Sequence, residues 1–229
     1  MTTESPPAAR ARGLEQWAGL GGIAYVVLFI VGGILAFGGQ PDLDADPGTV
    51  EVYFADGGHR DRIVYGWILI MLGAFFLLWF LSSLRLTLRR LDPGGVWTNL
   101  ASIGGVIYAA LAIAAVSLST AIKTMSDDTY QNTVYPELIH AADDAGYVMH
   151  ASGGIGAGAM MIAASIAALR AGAVPTWLGW IGAVAGILAL GSIFFFPQFL
   201  IALWLLVAGA LLFVAGRRPD VPRVEDAPR

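Results

Sequence analysis

The sequence predicts an all-α, polytopic integral membrane protein, a bundle of six transmembrane helices. Of its 229 residues 57% are apolar and only 13% are charged, whereas soluble domains carry about 25% charged residues. The mean hydropathy is +0.69, and six apolar runs contain no Asp, Glu, Lys or Arg. The composition excludes a disordered chain, a coiled coil and an ordinary soluble enzyme. The absence of cysteine excludes disulfides, iron–sulfur clusters and thiol catalysis.

Six segments approach the length of about 20 apolar residues that a helix needs to cross the hydrocarbon. They are Trp17–Phe37, Ile63–Leu84, Leu100–Ile122, Tyr147–Leu169, Trp177–Phe196 and Phe199–Val214. Only Pro197-Gln198 separates the last two, and proline breaks a helix, which predicts a tight hairpin. A single re-entrant element is the alternative, but about 38 apolar residues are enough for two crossings.

The parts of the chain outside these spans are short. Residues 1–12 and 217–229 are polar and proline-rich, which predicts disordered tails around one membrane domain, residues 13–216. The first apolar run could be a cleaved signal peptide. Its length of about 21 residues exceeds the 7–15 of a signal core, so an uncleaved first helix is predicted.

Basic residues divide unequally between the two sides of the predicted membrane. Ten of the 13 lie in the two tails and in the second and fourth connections, and three lie on the other side: Arg60, Arg62 and Lys123. The positive-inside rule then places both termini in the cytoplasm, as expected for a plasma-membrane protein. The formal charge of −4 gives no basis for nucleic-acid binding.

The odd-numbered spans share a short pattern. Leu20–Tyr25 reads Leu-Gly-Gly-Ile-Ala-Tyr, Ile103–Tyr108 reads Ile-Gly-Gly-Val-Ile-Tyr, and Ile181–Gly186 reads Ile-Gly-Ala-Val-Ala-Gly. A tryptophan precedes each, at positions 17, 97 and 177. The pattern predicts three parallel helical hairpins, although glycine-rich membrane helices also resemble one another by chance. Since small residues let membrane helices approach closely, the Gly- and Ala-rich fourth span is predicted at the bundle centre.

Ionisable residues inside a membrane mark ion pathways and proton relays, and the six spans contain only His150. This argues against a proton pump or a voltage sensor and favours a lipophilic or neutral ligand. His140, Asp143 and His150 would share one face of a continuous helix. Asp144 and His59 could complete an outer site for zinc or another divalent cation. The alternative is that these residues form the solvated start of a helix. Gly146 also weakens the assumption that this helix is continuous.

The first outer loop contains Asp42, Asp44 and Asp46. This spacing resembles a calcium loop, but Pro47 stands where an EF-hand requires glycine, and the twelfth position is tyrosine instead of glutamate. A loose calcium site remains a candidate beside the alternative of a solvated acidic turn. No Ser-His-Asp triad is readable.

The segment Val174–Trp180 reads Val-Pro-Thr-Trp-Leu-Gly-Trp, and Ala202–Leu206 reads Ala-Leu-Trp-Leu-Leu. With Gly22–Tyr25, these motifs resemble a family of six-helix bacterial membrane proteins of unknown function, common in actinobacteria. The resemblance covers most of the chain in layout and about a dozen residues in motif. The family usually has a basic residue where this chain has Thr176. The resemblance implies fold and location, and it brings no catalytic or ligand residues.

Two functions follow as hypotheses. The leading one is a non-enzymatic membrane protein that binds a lipophilic ligand or a partner membrane protein, as a transporter-like or accessory subunit without a cofactor. The alternative is a metal-dependent membrane enzyme that uses the outer His/Asp residues. The lipid bilayer is the expected surrounding, and a second copy of the chain is also a candidate partner.

Overall fold

The protein is an all-helical membrane bundle, as predicted. The computed structural model describes residues 7–42, 44–126, 131 and 133–215, with side chains from residue 17 onward. This part contains no strand and seven α-helices: α1 Pro7–Phe37, α2 Pro47–Ala55, α3 Gly57–Leu91, α4 Val96–Thr124, α5 Pro136–Arg170, α6 Thr176–Ala189 and α7 Phe196–Ala215. Five of them are long and apolar enough to span a membrane, and α6 is a shorter apolar helix.

Several helices extend beyond the predicted spans. The helices α3 and α5 have 35 residues each, which makes them about 52 Å long at 1.5 Å per residue. The first helix starts at Pro7 and so includes the second half of the predicted N-terminal tail. The rest of that tail and the predicted C-terminal tail, residues 217–229, lie outside the described residues.

The break between α6 and α7 lies earlier than predicted. The sequence placed it at Pro197-Gln198, but α6 ends at Ala189 and a short 3₁₀ helix, Ser192–Phe194, follows. Phe195 then reverses the chain with a φ of 62°. Pro197 is the second residue of α7, where a fixed φ suits helix initiation and the missing N–H has no partner to lose.

All the α-helices except α2 form three hairpins in a ring. α1 pairs with α3, α4 with α5 and α6 with α7, and the second helix of each hairpin packs on the first helix of the next, α7 closing the ring on α1. We name the two ends of this bundle the arginine end and the lysine end, after their basic residues. At the arginine end α3 and α5 terminate with Arg90 and Arg170 nearby, and at the lysine end α4 terminates beside Lys123.

The first two hairpins repeat each other residue by residue. A Cβ added to Gly73 of α3 would contact the backbone and side chains of α1, and one added to Gly153 of α5 would make the same contacts with α4. The contacted residues are Tyr25 and Leu28 in the first hairpin and Tyr108 and Leu111 in the second. Both pairs of partners are 83 residues apart, and the two glycines are 80 apart. This shared register supports the predicted repeat for the first two hairpins.

The bundle core lies where the three second helices meet. Its largest fully buried side chains come from α3, α5 and α7: Leu77, Phe80, Met160, Met161, Ile201 and Leu205. Of the five long helices, α5 is the most buried, in agreement with the predicted central position of the fourth span. Its Gly158 packs against Gly186 of α6, so these glycines serve close helix packing.

The short helix α2 was not predicted. Asp46 caps its N-terminus by accepting a hydrogen bond from the Thr49 amide, and Pro47 occupies the first helical position. Val50 and Phe54 are buried and form a small core at the lysine end with residues of α3 and α5. The acidic loop after the first span is therefore partly a short helix, and its Val50 and Phe54 pack on this end of the bundle.

Candidate functional site

An apolar groove lies at the arginine end, between α6 and α7. It has a volume of about 340 Å³ and extends to α3 and α5. Its lining is apolar except for three side chains: Thr87, Ser165 and Trp204. We call this cavity the α6–α7 groove. Ligand pockets typically measure about 300–1,000 Å³, so its size suits a lipophilic molecule.

The groove exists because the third hairpin is splayed. In the first hairpin, a Cβ added to Gly21 would lie 2.5 Å from the Phe76 carbonyl oxygen. In the second hairpin, a Cβ added to Gly104 would lie 2.5 Å from the Gly156 carbonyl oxygen. At the corresponding position of the repeat, the atoms nearest to a Cβ on Gly182 are side-chain atoms of Ser165 and Trp204. Thus α6 packs closely on α5, while the backbones of α6 and α7 stay apart.

An ion pair between a buried lysine and a half-buried aspartate lies at the lysine end. The Lys123 side chain is 1% exposed, and its Nζ lies 2.7 Å from Oδ1 of Asp143. The same Nζ donates a hydrogen bond of 2.5 Å to Gln40 and lies 5.4 Å from the centre of the Phe37 ring. Ser119 donates to the Asp143 carboxylate at 3.0 Å. The pair therefore joins α4, α5 and the end of α1.

The structure gives the predicted metal ligands other partners. Asp143 pairs with Lys123, and Asp144 is exposed one residue later. His150 shares a hydrogen bond with Gln198 and stacks on Phe29.

His59 belongs to another element, where it stacks on Tyr53 and lies 3.0 Å from that residue's carbonyl. His140 is half-buried on α5. Among the described residues no group of three His, Asp or Glu is arranged to hold a metal. The metal site remains a prediction, which metal analysis of protein purified without chelator would test.

The predicted calcium residues lie before α2. Asp46 acts as its N-cap, and the hydrogen bonds from the hydroxyl and amide of Thr49 lower the pKa of its carboxyl. Asp42 and Asp44 are exposed. The structure thus assigns a structural role to Asp46, and calcium binding by this loop remains a prediction.

The comparisons with known proteins add one finding. Residues 20–217 match the model of a domain of unknown function, DUF4386. The chain belongs to the DUF4386 family. No curated protein and no solved structure matches it. Membership of DUF4386 agrees with the resemblance to an uncharacterised family, and it assigns no activity.

Sequence reasoning missed two features of this DUF4386 protein. Lys123 was counted only as an outer basic residue, although it is the single lysine of the chain and directly follows an apolar run; that isolation was the available signal. The α6–α7 groove had no local signal, because it depends on how far apart two helices pack.

Proposed function

We propose that the protein binds a lipophilic ligand in the α6–α7 groove, as a small transporter-like or accessory subunit. The observation that carries the proposal is a ligand-sized apolar groove between helices that are themselves apolar enough for a membrane. A lipophilic ligand suits such a site because its apolar surface stays among apolar side chains, as it would in lipid, while packing contacts fix its position. The many large apolar side chains that point outward suit the lipid bilayer, and a second membrane protein or a second copy of the chain is the proposed partner for part of that surface.

A groove-filling substitution tests this function. Ala208 lines the groove, whereas Ala210 on the same helix is exposed and lies outside it. We expect Ala208→Phe to weaken binding of dansyl-labelled undecanoic acid by about tenfold or more, which corresponds to 1.4 kcal/mol, because the ring occupies the ligand's volume. The measurement is a fluorescence titration of the detergent-solubilised protein.

The matched control is Ala210→Phe, which adds the same ring to the outer face of α7. It should bind the probe like the wild type. Saturable one-to-one binding that neither variant alters would show that the ligand sits elsewhere, and no saturable binding to the wild type would contradict the proposal.

We also propose six crossings, with both termini in the cytoplasm and the protein in the plasma membrane. The support is the ten-to-three distribution of basic residues. Reporter fusions at Glu51 and Thr133 should then read as external, and fusions at Asp92 and after Arg217 as cytoplasmic. A cytoplasmic signal at Thr133 would rule out this topology.

A further inference from the structure

Two polar groups in the α6–α7 groove have no hydrogen-bond partner within the described part of the chain. They are the Ser165 hydroxyl and the Trp204 indole N–H, and both line the cavity. Ser165 is only 6% exposed. In an apolar surrounding, a donor without a partner is costly, so two such donors in one cavity point to an acceptor supplied from outside the chain.

The orientation of Ser165 differs from that of the serines that donate within their own helix. Ser82, Ser102 and Ser152 each donate to the carbonyl four residues earlier in their own helix, the usual way in which a helix satisfies a serine. The Ser165 hydroxyl instead faces Gly182 on α6. It is therefore available to a ligand in the groove.

Ser165 and Trp204 converge on one point. Trp204 Nε1 lies 3.2 Å from the position that a Cβ of Gly182 would occupy, and Ser165 Oγ is closer still to that position. The two polar atoms are therefore within about 6 Å of each other, near enough for one oxygen to accept from both. Glycine at position 182 keeps this space open.

The positive charges at the arginine end suit the polar headgroup of an amphiphilic ligand. Arg170 follows Ser165 by five residues on α5, a rise of about 7.5 Å along the helix. Arg89, in the last turn of α3, lies at the same end. Neither arginine lines the groove, and the Arg170 guanidinium lies 5.0 Å from the centre of the Trp97 ring on α4. The arginines therefore mark only the polar end of the bundle, toward which the headgroup of a bound lipid would point.

We infer that the ligand is an acyl lipid whose carbonyl oxygen accepts hydrogen bonds from Ser165 and Trp204. The inference rests on the proposed function and specifies its ligand class. An apolar molecule without an acceptor would fill the groove and leave both donors without a partner. A carbonyl satisfies them where the bilayer itself offers no water.

Two competitors of equal chain length test the inference. Methyl palmitate has an ester carbonyl and hexadecane has none, and each would compete with the dansyl-labelled probe for the full-length protein in detergent. We expect methyl palmitate to displace the probe at a concentration about three- to tenfold lower than hexadecane, the range of one or two net hydrogen bonds. Trp204→Phe and Ser165→Ala should each reduce this preference, and neither should change hexadecane binding.

Trp180→Phe is the matched control, because Trp180 is 61% exposed and does not line the groove; it should preserve the ester preference. Two results would overturn the carbonyl inference while leaving the groove as a binding site. One is equal displacement of the probe by both competitors in the wild type. The other is a preference for the ester that persists in both Trp204→Phe and Ser165→Ala. Failure of both competitors to displace the probe would instead contradict the proposed function.

Discussion

Replacing Asp143 with alanine is expected to lower the free energy of unfolding by about 3–5 kcal/mol, the usual cost of removing one partner of a buried ion pair. Lys123 would remain buried without its counter-charge, since Gln40 offers only an amide oxygen and the neighbouring rings only a weak attraction. The measurement is chemical or thermal unfolding of the purified protein in one detergent.

Asp144→Ala is the control for this prediction. Asp144 is the next residue and is exposed, so its removal should change stability by less than about 0.5 kcal/mol. The double variant Lys123→Met with Asp143→Leu should recover most of the loss, because an apolar pair avoids the desolvation cost of the charges. A stable Asp143→Ala single variant would show that the pair is solvated and does not join the three helices.

Leucine at Gly154 or Gly158 is expected to destabilise the bundle by about 1–3 kcal/mol each through overpacking. A Cβ at Gly154 would lie 2.7 Å from the Ala189 carbonyl, and one at Gly158 would lie 2.7 Å from the Gly186 carbonyl. These contacts involve backbone of α6, which cannot rotate away as a side chain could. Melting temperatures in detergent would measure the loss.

Gly33 supplies the matched control for the glycine series. It also lies within a membrane helix, but a Cβ there meets no atom within 4 Å. Gly33→Leu should therefore leave the melting temperature nearly unchanged. Equal effects at all three positions would mean that the cost comes from the helix itself and not from the contact between α5 and α6.

The sequence predicted the helices well because their signal is local. Long apolar runs without charges leave a helix as the stable state in lipid, and the repeated motif around Tyr25 and Tyr108 indicated equivalent hairpins. These two tyrosines meet in the bundle, with their hydroxyls 2.9 Å apart. The error at Pro197 arose because proline both ends and begins helices, and the sequence alone did not decide between the two.

The features of the candidate sites depend on distant residues and were harder to predict. Lys123 finds its charge partner 20 residues later and its amide partner 83 residues earlier, so no window of sequence contains the cluster. The loop after the first span was interpreted as a calcium-site candidate or a solvated acidic turn, although Val50 and Phe54 are four residues apart, which is helical spacing. The groove reflects the spacing of two helix backbones, which composition does not encode.

The short helix α6 has a consequence for the surrounding lipid. Its 14 residues rise only about 21 Å, while a typical hydrocarbon core is about 30 Å thick. The turn that follows exposes the large apolar side chains of Phe194 and Phe195, and its Ile193 carbonyl accepts a hydrogen bond from Tyr147. With the proposed six crossings, a bilayer of ordinary thickness adapts to this short helix by local thinning or by flanking side chains that reach the interface, at a cost that grows with each ångström of mismatch. Membrane thickness thus acts on the same hairpin that holds the groove, and thinner membranes accommodate it with less strain.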